Sequence, residues 1–169
     1  MHKSLSRRDI LKGAGGATLV GLAGCAGDSG GDEDTEQVKA AWLYNTAVQG
    51  NGWTYEHHQG LKAAQEEYDW LQADYTENVN PDDAEQVSAQ YAEQGYDVIY
   101  GTSFGFQDGM YAAAEEYPDT TFEHCSGFKT RENMGRYFGR LYQAFYLGGV
   151  AAGEVTETNT LGYVGAYPI

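Results

Sequence analysis

Five residues have side chains whose chemistry could go beyond packing: the adjacent His57 and His58, the neighbours His124 and Cys125, and Ser103. Adjacent histidines on a helix point in different directions, so they cannot share a metal as an i, i+4 pair does. Neighbours on a strand face opposite sides, so His124 and Cys125 do not form a nucleophile–base couple by adjacency. Ser103 has no evident base. Neither a catalytic constellation nor a metal or cofactor site emerges, and the expectation is a protein that is not an enzyme.

The same stretches carry recognition chemistry instead. Ser103 lies in YGTSFGFQDG (100–109), where an apolar run meets a helical pattern through glycines. Such turns often cradle a phosphate at a helix N-terminus. This one contains no Lys or Arg, and Asp108 would repel an anion. It offers Phe104 and Phe106, one of which must face outward if the other packs inward. A second loop, NTAVQGNGWTY (45–55), delivers Trp53 at the mouth of a helix, where it either caps the core or offers a face for stacking. Aromatic faces beside a carboxylate suit a flat, neutral heteroaromatic solute with N–H or hydroxyl donors. The candidate ligand contacts are Trp53, Ser103, Phe104, Phe106 and Asp108, with Tyr44 and Asn45 where the first strand gives way to its loop.

These loops need a scaffold, and the chain supplies an alternation. Strand patterns are expected at 38–44, 71–78, 97–103 and 120–127, and a fifth strand begins in LGYVGAYP (161–168). Between them lie helical patterns at 54–68, with Tyr55, Leu61 and Ala64 inward, and at 107–117. Another is opened by Asp82 and stopped at Gly95, with Ala84, Val87 and Tyr91 inward. A longer helix is expected over 137–155. Its Gly149 and Gly153 have the spacing of membrane helix pairs, but Arg140 and Glu154 speak against a membrane span, and close packing on a sheet accounts for the glycines. The alternation predicts an α/β fold, a doubly wound parallel sheet with helices on both faces. Ligands of such sheets bind beyond the carboxyl ends of the strands, where strand order reverses. Both aromatic loops fall there.

Ahead of this body stands an address label. Residues 1–24 have a basic start with Arg7-Arg8, a short apolar run and small residues, the layout of a twin-arginine leader. LAGC ends the run in the manner of a lipobox, making Cys25 the expected lipidation site. Residues 25–37, rich in Gly, Asp and Glu, read as a disordered tether. The leader removes four basic residues of 10 and one acidic residue of 25, which leaves 6 against 24, a net charge of -18. A surface so acidic repels nucleic acid and anionic lipid and suits molar salt, where the Debye length falls to about 3 Å.

The ordered motifs GWTYEHHQGLKAA, QGYDVIYGTSFGFQD, YPDTTFEHCSGFKTREN, YFGRLYQAFYLGGVAAG and TNTLGYVGAYPI resemble the basic membrane protein family. These are substrate-binding lipoproteins of ABC importers, allied to purine nucleoside receptors. The resemblance implies a two-lobed type I periplasmic-binding-protein fold, with a purine nucleoside or base held between the lobes and presented to an ABC permease and its ATPase. It implies attachment to the outer face of the cell membrane by lipid alone. It places the first-loop aromatic on Trp53, with Thr54 beside it, and the Phe and Asp of the third-strand loop on Phe104, Phe106 and Asp108. Gly50 stands where family members often carry an Asp, so one hydrogen-bonding carboxylate is missing. It also implies that residues 38–169 form only the first lobe. The alternatives are a surface sensor feeding a signalling partner and a non-functional fragment.

Overall fold

The computed structural model describes residues 37–166. The expected leader, Cys25 and nearly all of the tether lie outside them. Five strands form one sheet: β1 (Val38–Leu43), β2 (Leu71–Thr76), β3 (Val98–Gly101), β4 (Thr121–Cys125) and β5 (Met134–Tyr137). Their order is β2-β1-β3-β4-β5, and every pairing is parallel. The chain leaves β1 toward β2 and then crosses to β3 on the other side, so strand order reverses between β1 and β3. The α/β, doubly wound expectation is met.

Helix α1 (Trp53–Glu67) follows β1, α2 (Ala84–Glu93) follows β2 and α3 (Gln107–Glu116) follows β3. Right-handed crossovers in this strand order put α1 on one face and the α2–α3 pair on the other. Under α2 and α3 lies the main core, with Leu43, Ile99, Phe122 and Met134 from the sheet against Ala84, Met110 and Ala113 from the helices. Alternation within each strand sends these residues to one face and Trp42 and Tyr100 to the other. Leu61 of α1 is buried there, with Tyr55 and Ala64 partly so; Val87 and Tyr91 of α2 pack against the main core. Asp82 lies in a short 3-10 turn, Pro81–Asp83, that leads into α2. Gly95 carries a φ of 76°, which suits a glycine ending a helix.

Two side chains tie the amino-terminal edge together. The Lys39 N–H donates to Asp97 Oδ2 at 2.8 Å, while Asp97 N–H returns a bond to the Lys39 carbonyl. Asn133 Nδ2 donates to the carbonyls of Ala114, Tyr117 and Thr120 at 2.9–3.0 Å. It thereby satisfies the end of α3 and sets Met134 into the core at the start of β5.

Three expectations are corrected beyond residue 133. Met134–Tyr137 is an edge strand rather than the approach to a helix, and helix α4 begins only at Leu141, ending at Val155. The pairing of His124 with Arg136 and of Cys125 with Tyr137 is a tertiary contact that no local period announces. Residues 161–166 form no strand among the described residues, because their backbone pairs with neither edge strand, β2 or β5. Helix α4 does not pack closely on the sheet: none of its residues is buried, and Tyr142, Phe145, Tyr146 and Leu147 are exposed. Among the described residues no helix is long and apolar enough to cross a membrane.

Helices α2 and α3 approach most closely at Gly109, where an added Cβ would lie 2.6 Å from the Glu85 backbone nitrogen. Gly109→Ala should therefore destabilise the protein by about 1–3 kcal/mol, although alanine is the better helix former by about 1 kcal/mol. Urea denaturation should show a lower midpoint; an unchanged or higher midpoint would contradict this packing.

Candidate functional site

The carboxyl ends of β1 and β3 are fastened together at the reversal of strand order. Thr102 donates its N–H and its hydroxyl to the Leu43 carbonyl, at 3.2 and 2.8 Å. Its own carbonyl accepts the indole N–H of Trp53. Trp53 is thus the first residue of α1 and a bridge between the two loops at once, with 40% of its surface exposed. His57, one turn on, donates from Nδ1 to the Trp53 carbonyl at 2.9 Å, and its ring lies 4.7 Å from the indole. Trp53 neither sinks into the core nor swings loose. Its N–H is satisfied and part of the ring stays exposed.

The third-strand loop separates its two phenylalanines as alternation requires. Phe106 is fully buried in the main core, whereas Phe104 is half-buried beyond the strand ends. Phe104 lies 6.3 Å from Phe128, and Trp53 lies 6.2 Å from Phe138. Phe104, Ser126, Gly127, Phe128, Arg136, Tyr137 and Phe138 line a hollow of about 540 Å³, a volume within the range of small-molecule sites. Four aromatic rings on four different loops therefore gather at one end of the sheet.

Gln107 holds the Phe128 loop in position. Its Oε1 accepts the backbone N–H groups of Phe128 and Lys129, at 2.6 and 2.9 Å. Lys129 then reaches Asp108, with Nζ 2.7 Å from Oδ1. The absence of a cation within loop 100–109 thus proved a poor guide to the charge there, since the neighbouring loop provides one.

Of the other candidates, Asn45 is exposed, and its Oδ1 accepts weakly, at 3.4 Å, from the hydroxyl of the buried Thr54, which also contacts the Thr46 hydroxyl at 2.7 Å. Ser103 is buried, and its carbonyl accepts from Phe106 N–H and His124 Nε2. Tyr44 is fully buried, edge-on to His58 and 5.5 Å from Tyr75. It does not itself line the hollow. Burial, with Tyr75 and Glu77 nearby, pushes its hydroxyl well above the usual phenol range.

Phe128, Arg136 and Phe138 were missed as site residues in sequence. The stretch SGFKTRENMG does sit after the fourth strand, which is the signal that could have found Phe128. Phe138 was hidden by the helix expected over 137–155, and Arg136 by its place directly ahead of that helix.

His124 is the buried titratable group beneath the hollow. It donates from Nε2 to the Ser103 carbonyl at 2.8 Å, so Nδ1 is the unprotonated nitrogen, and it has no partner. Gly127 lies so close above that an added Cβ would sit 1.9 Å from Nδ1. Burial pushes the imidazole below its ordinary value of about 6.5, against the opposing bond to Ser103. Cys125 beside it is equally inert: burial pushes the thiol up to about 11, against a hydrogen bond with Tyr137.

Residues 37–169 match the family described as ABC transporter substrate-binding protein PnrA-like, Bmp. The chain belongs to that family. A relative from Haloferax volcanii, named as the ABC transporter glucose-binding protein TsgA13, is 46% identical across 99% of this chain and 51% of its own length. A Brucella abortus protein named as purine-binding is 35% identical over 79% of this chain and 39% of its own. A nucleoside-binding protein of Lactococcus lactis, BmpA, is 30% identical over 82% of this chain. Among solved structures, a solute-binding protein of an Aeropyrum pernix ABC transporter superposes with a TM-score of 0.62 at 21% identity, over 72% of this chain and 34% of the other. One from Conexibacter woesei gives 0.59 at 20%, over 69% and 40%. The chain spans about half the length of TsgA13 and less of the other relatives.

Because the folded state holds His124 neutral, it contributes stability that is fully present above the unfolded value of about 6.5. That stability is lost as pH falls below it toward the depressed folded value. Burial raises the Glu123 carboxyl, an effect of opposite sign at lower pH. Between pH 7.5 and 5.5 the denaturation midpoint should fall, and His124→Gln should flatten that dependence. An equally steep fall in the variant would place the acid sensitivity elsewhere.

Proposed function

We propose that this chain supplies one wall of the solute site in a lipid-anchored, extracellular substrate-binding protein of an ABC importer, and that the solute is a purine nucleoside or purine base. The observation that carries this is the hollow lined by Phe104, Phe128 and Phe138 beyond the strand ends, with Trp53 beside Phe138. Every nucleobase has a π-face, and stacking on an aromatic side chain is worth about 1–3 kcal/mol per base. Asn45, exposed on the first loop, and Asp108, exposed beside Lys129, are the polar candidates for the sugar or the base edge. Two of the similar proteins are named for purines or nucleosides, which supports the ligand class.

The described residues form one Rossmann-like lobe in this reading, and the facing wall comes from a second lobe of the kind the longer relatives have room for. Lipidation of Cys25 tethers the protein to the outer face of the membrane, and the acidic surface keeps it soluble in molar salt. The permease and its ATPase receive the loaded form.

A hexose is the second reading, favoured by the name of the Haloferax relative. A sugar lays a C–H face on an aromatic ring and sends its hydroxyls to Asn, Asp and Arg, so the same wall could serve it. Titration calorimetry of the full-length protein in molar KCl, with nucleosides, free purines and glucose, separates the two. Saturable heat with purines is expected, and Trp53→Ala should weaken it by about 1–3 kcal/mol. Heat with glucose alone would overturn the purine assignment.

A further inference from the structure

Arg136 is the basic residue among those that line the aromatic hollow. Acidic residues outnumber basic ones by 25 to 10, so partners for a cation are abundant. Lys129 is paired with Asp108 and Arg131 with Glu115, while Lys39, Lys62, Arg136 and Arg140 make no ion pair among the described residues. Arg136 has no carboxylate within ion-pair distance among the described residues, and it lines the aromatic hollow with Phe104, Phe128 and Phe138. Its backbone is fixed by the pairing of β5 with His124 on β4, so the guanidinium is delivered from a rigid strand end.

A guanidinium is donor-only. Its planar fork matches two acceptors held side by side in one plane. Ringed by aromatic side chains that set the plane of a bound base, such a fork reads an edge. A 6-oxopurine presents the adjacent acceptors N7 and O6, the pair that arginine takes with two hydrogen bonds in guanine recognition. A 6-aminopurine presents N7 beside an amino group, which would set donor against donor. We infer that Arg136 makes this site selective for 6-oxopurines (hypoxanthine, guanine, xanthine and their nucleosides) over adenine and adenosine. The inference rests on the purine assignment above and goes beyond it to the edge that is read.

The test is competitive binding to the full-length protein in molar KCl, with inosine, guanosine and adenosine as the probes. The unaltered protein should bind inosine and guanosine about tenfold or more tightly than adenosine. Arg136→Met keeps the apolar stem and removes the fork. It should weaken inosine and guanosine about tenfold and leave adenosine within about twofold, so that selectivity collapses. Its thermal unfolding should match the parent, since the side chain is exposed and makes no ion pair. Equal affinity of the unaltered protein for inosine and adenosine would overturn the inference while leaving the purine site standing, and this result needs no variant. An equal loss for all three nucleosides in Arg136→Met would also overturn it, because Arg136 would then act on the common sugar. Failure of all three to bind the unaltered protein would overturn the purine assignment itself.

Discussion

The Leu43 carbonyl, at the end of the interior strand β1, accepts two hydrogen bonds from Thr102, and the candidate binding face depends on that clasp. It locks the exit of β3 to the exit of β1 at the point where strand order reverses. The next links run outward from it: the Thr102 carbonyl takes the Trp53 indole, and the Ser103 carbonyl takes the His124 imidazole. Three consecutive strand ends are thereby held in one arrangement by backbone acceptors. With the backbone committed in this way, the aromatic side chains of the loops are positioned rather than merely exposed.

Buried polar groups in this region have to be nearly complete in their bonding, because an unsatisfied one costs about 1–3 kcal/mol. Gln107 meets that demand for the loop over the hollow, taking two backbone N–H groups on one oxygen. His124 meets it only at Nε2, and its bare Nδ1 lies directly under Gly127. Burial thus favours the neutral imidazole beneath Gly127.

The two faces of the sheet are unequally finished. The α2–α3 side is a filled core. The α1 side carries a stacked pair, Trp42 and Tyr100, at 4.4 Å with Tyr137 edge-on, bordering a hollow of about 410 Å³. Helix α4, apolar almost all round, buries nothing. A helix of that composition is normally an interior one. Both features agree with a chain that spans about half the length of its relatives.

Periodicity alone determined the strand–helix alternation, the parallel sheet and the edge at which strand order reverses, because each rests on local pattern and on the handedness of crossovers. It also required one of Phe104 and Phe106 to face out. Which aromatics meet was a different matter. Trp53 comes beside Phe138, and Phe104 beside Phe128, only because β5 adds to the sheet edge, and residues 134–137 have no period that distinguishes a strand from the lead into α4. Charge behaved in the same way. Loop 100–109 reads as purely acidic in sequence, yet Lys129 neutralises Asp108 across 21 residues and Arg136 is left to face the hollow. Local pattern decides what each segment becomes; distances between segments decide what it does, and those are set by pairing between strands far apart in the chain.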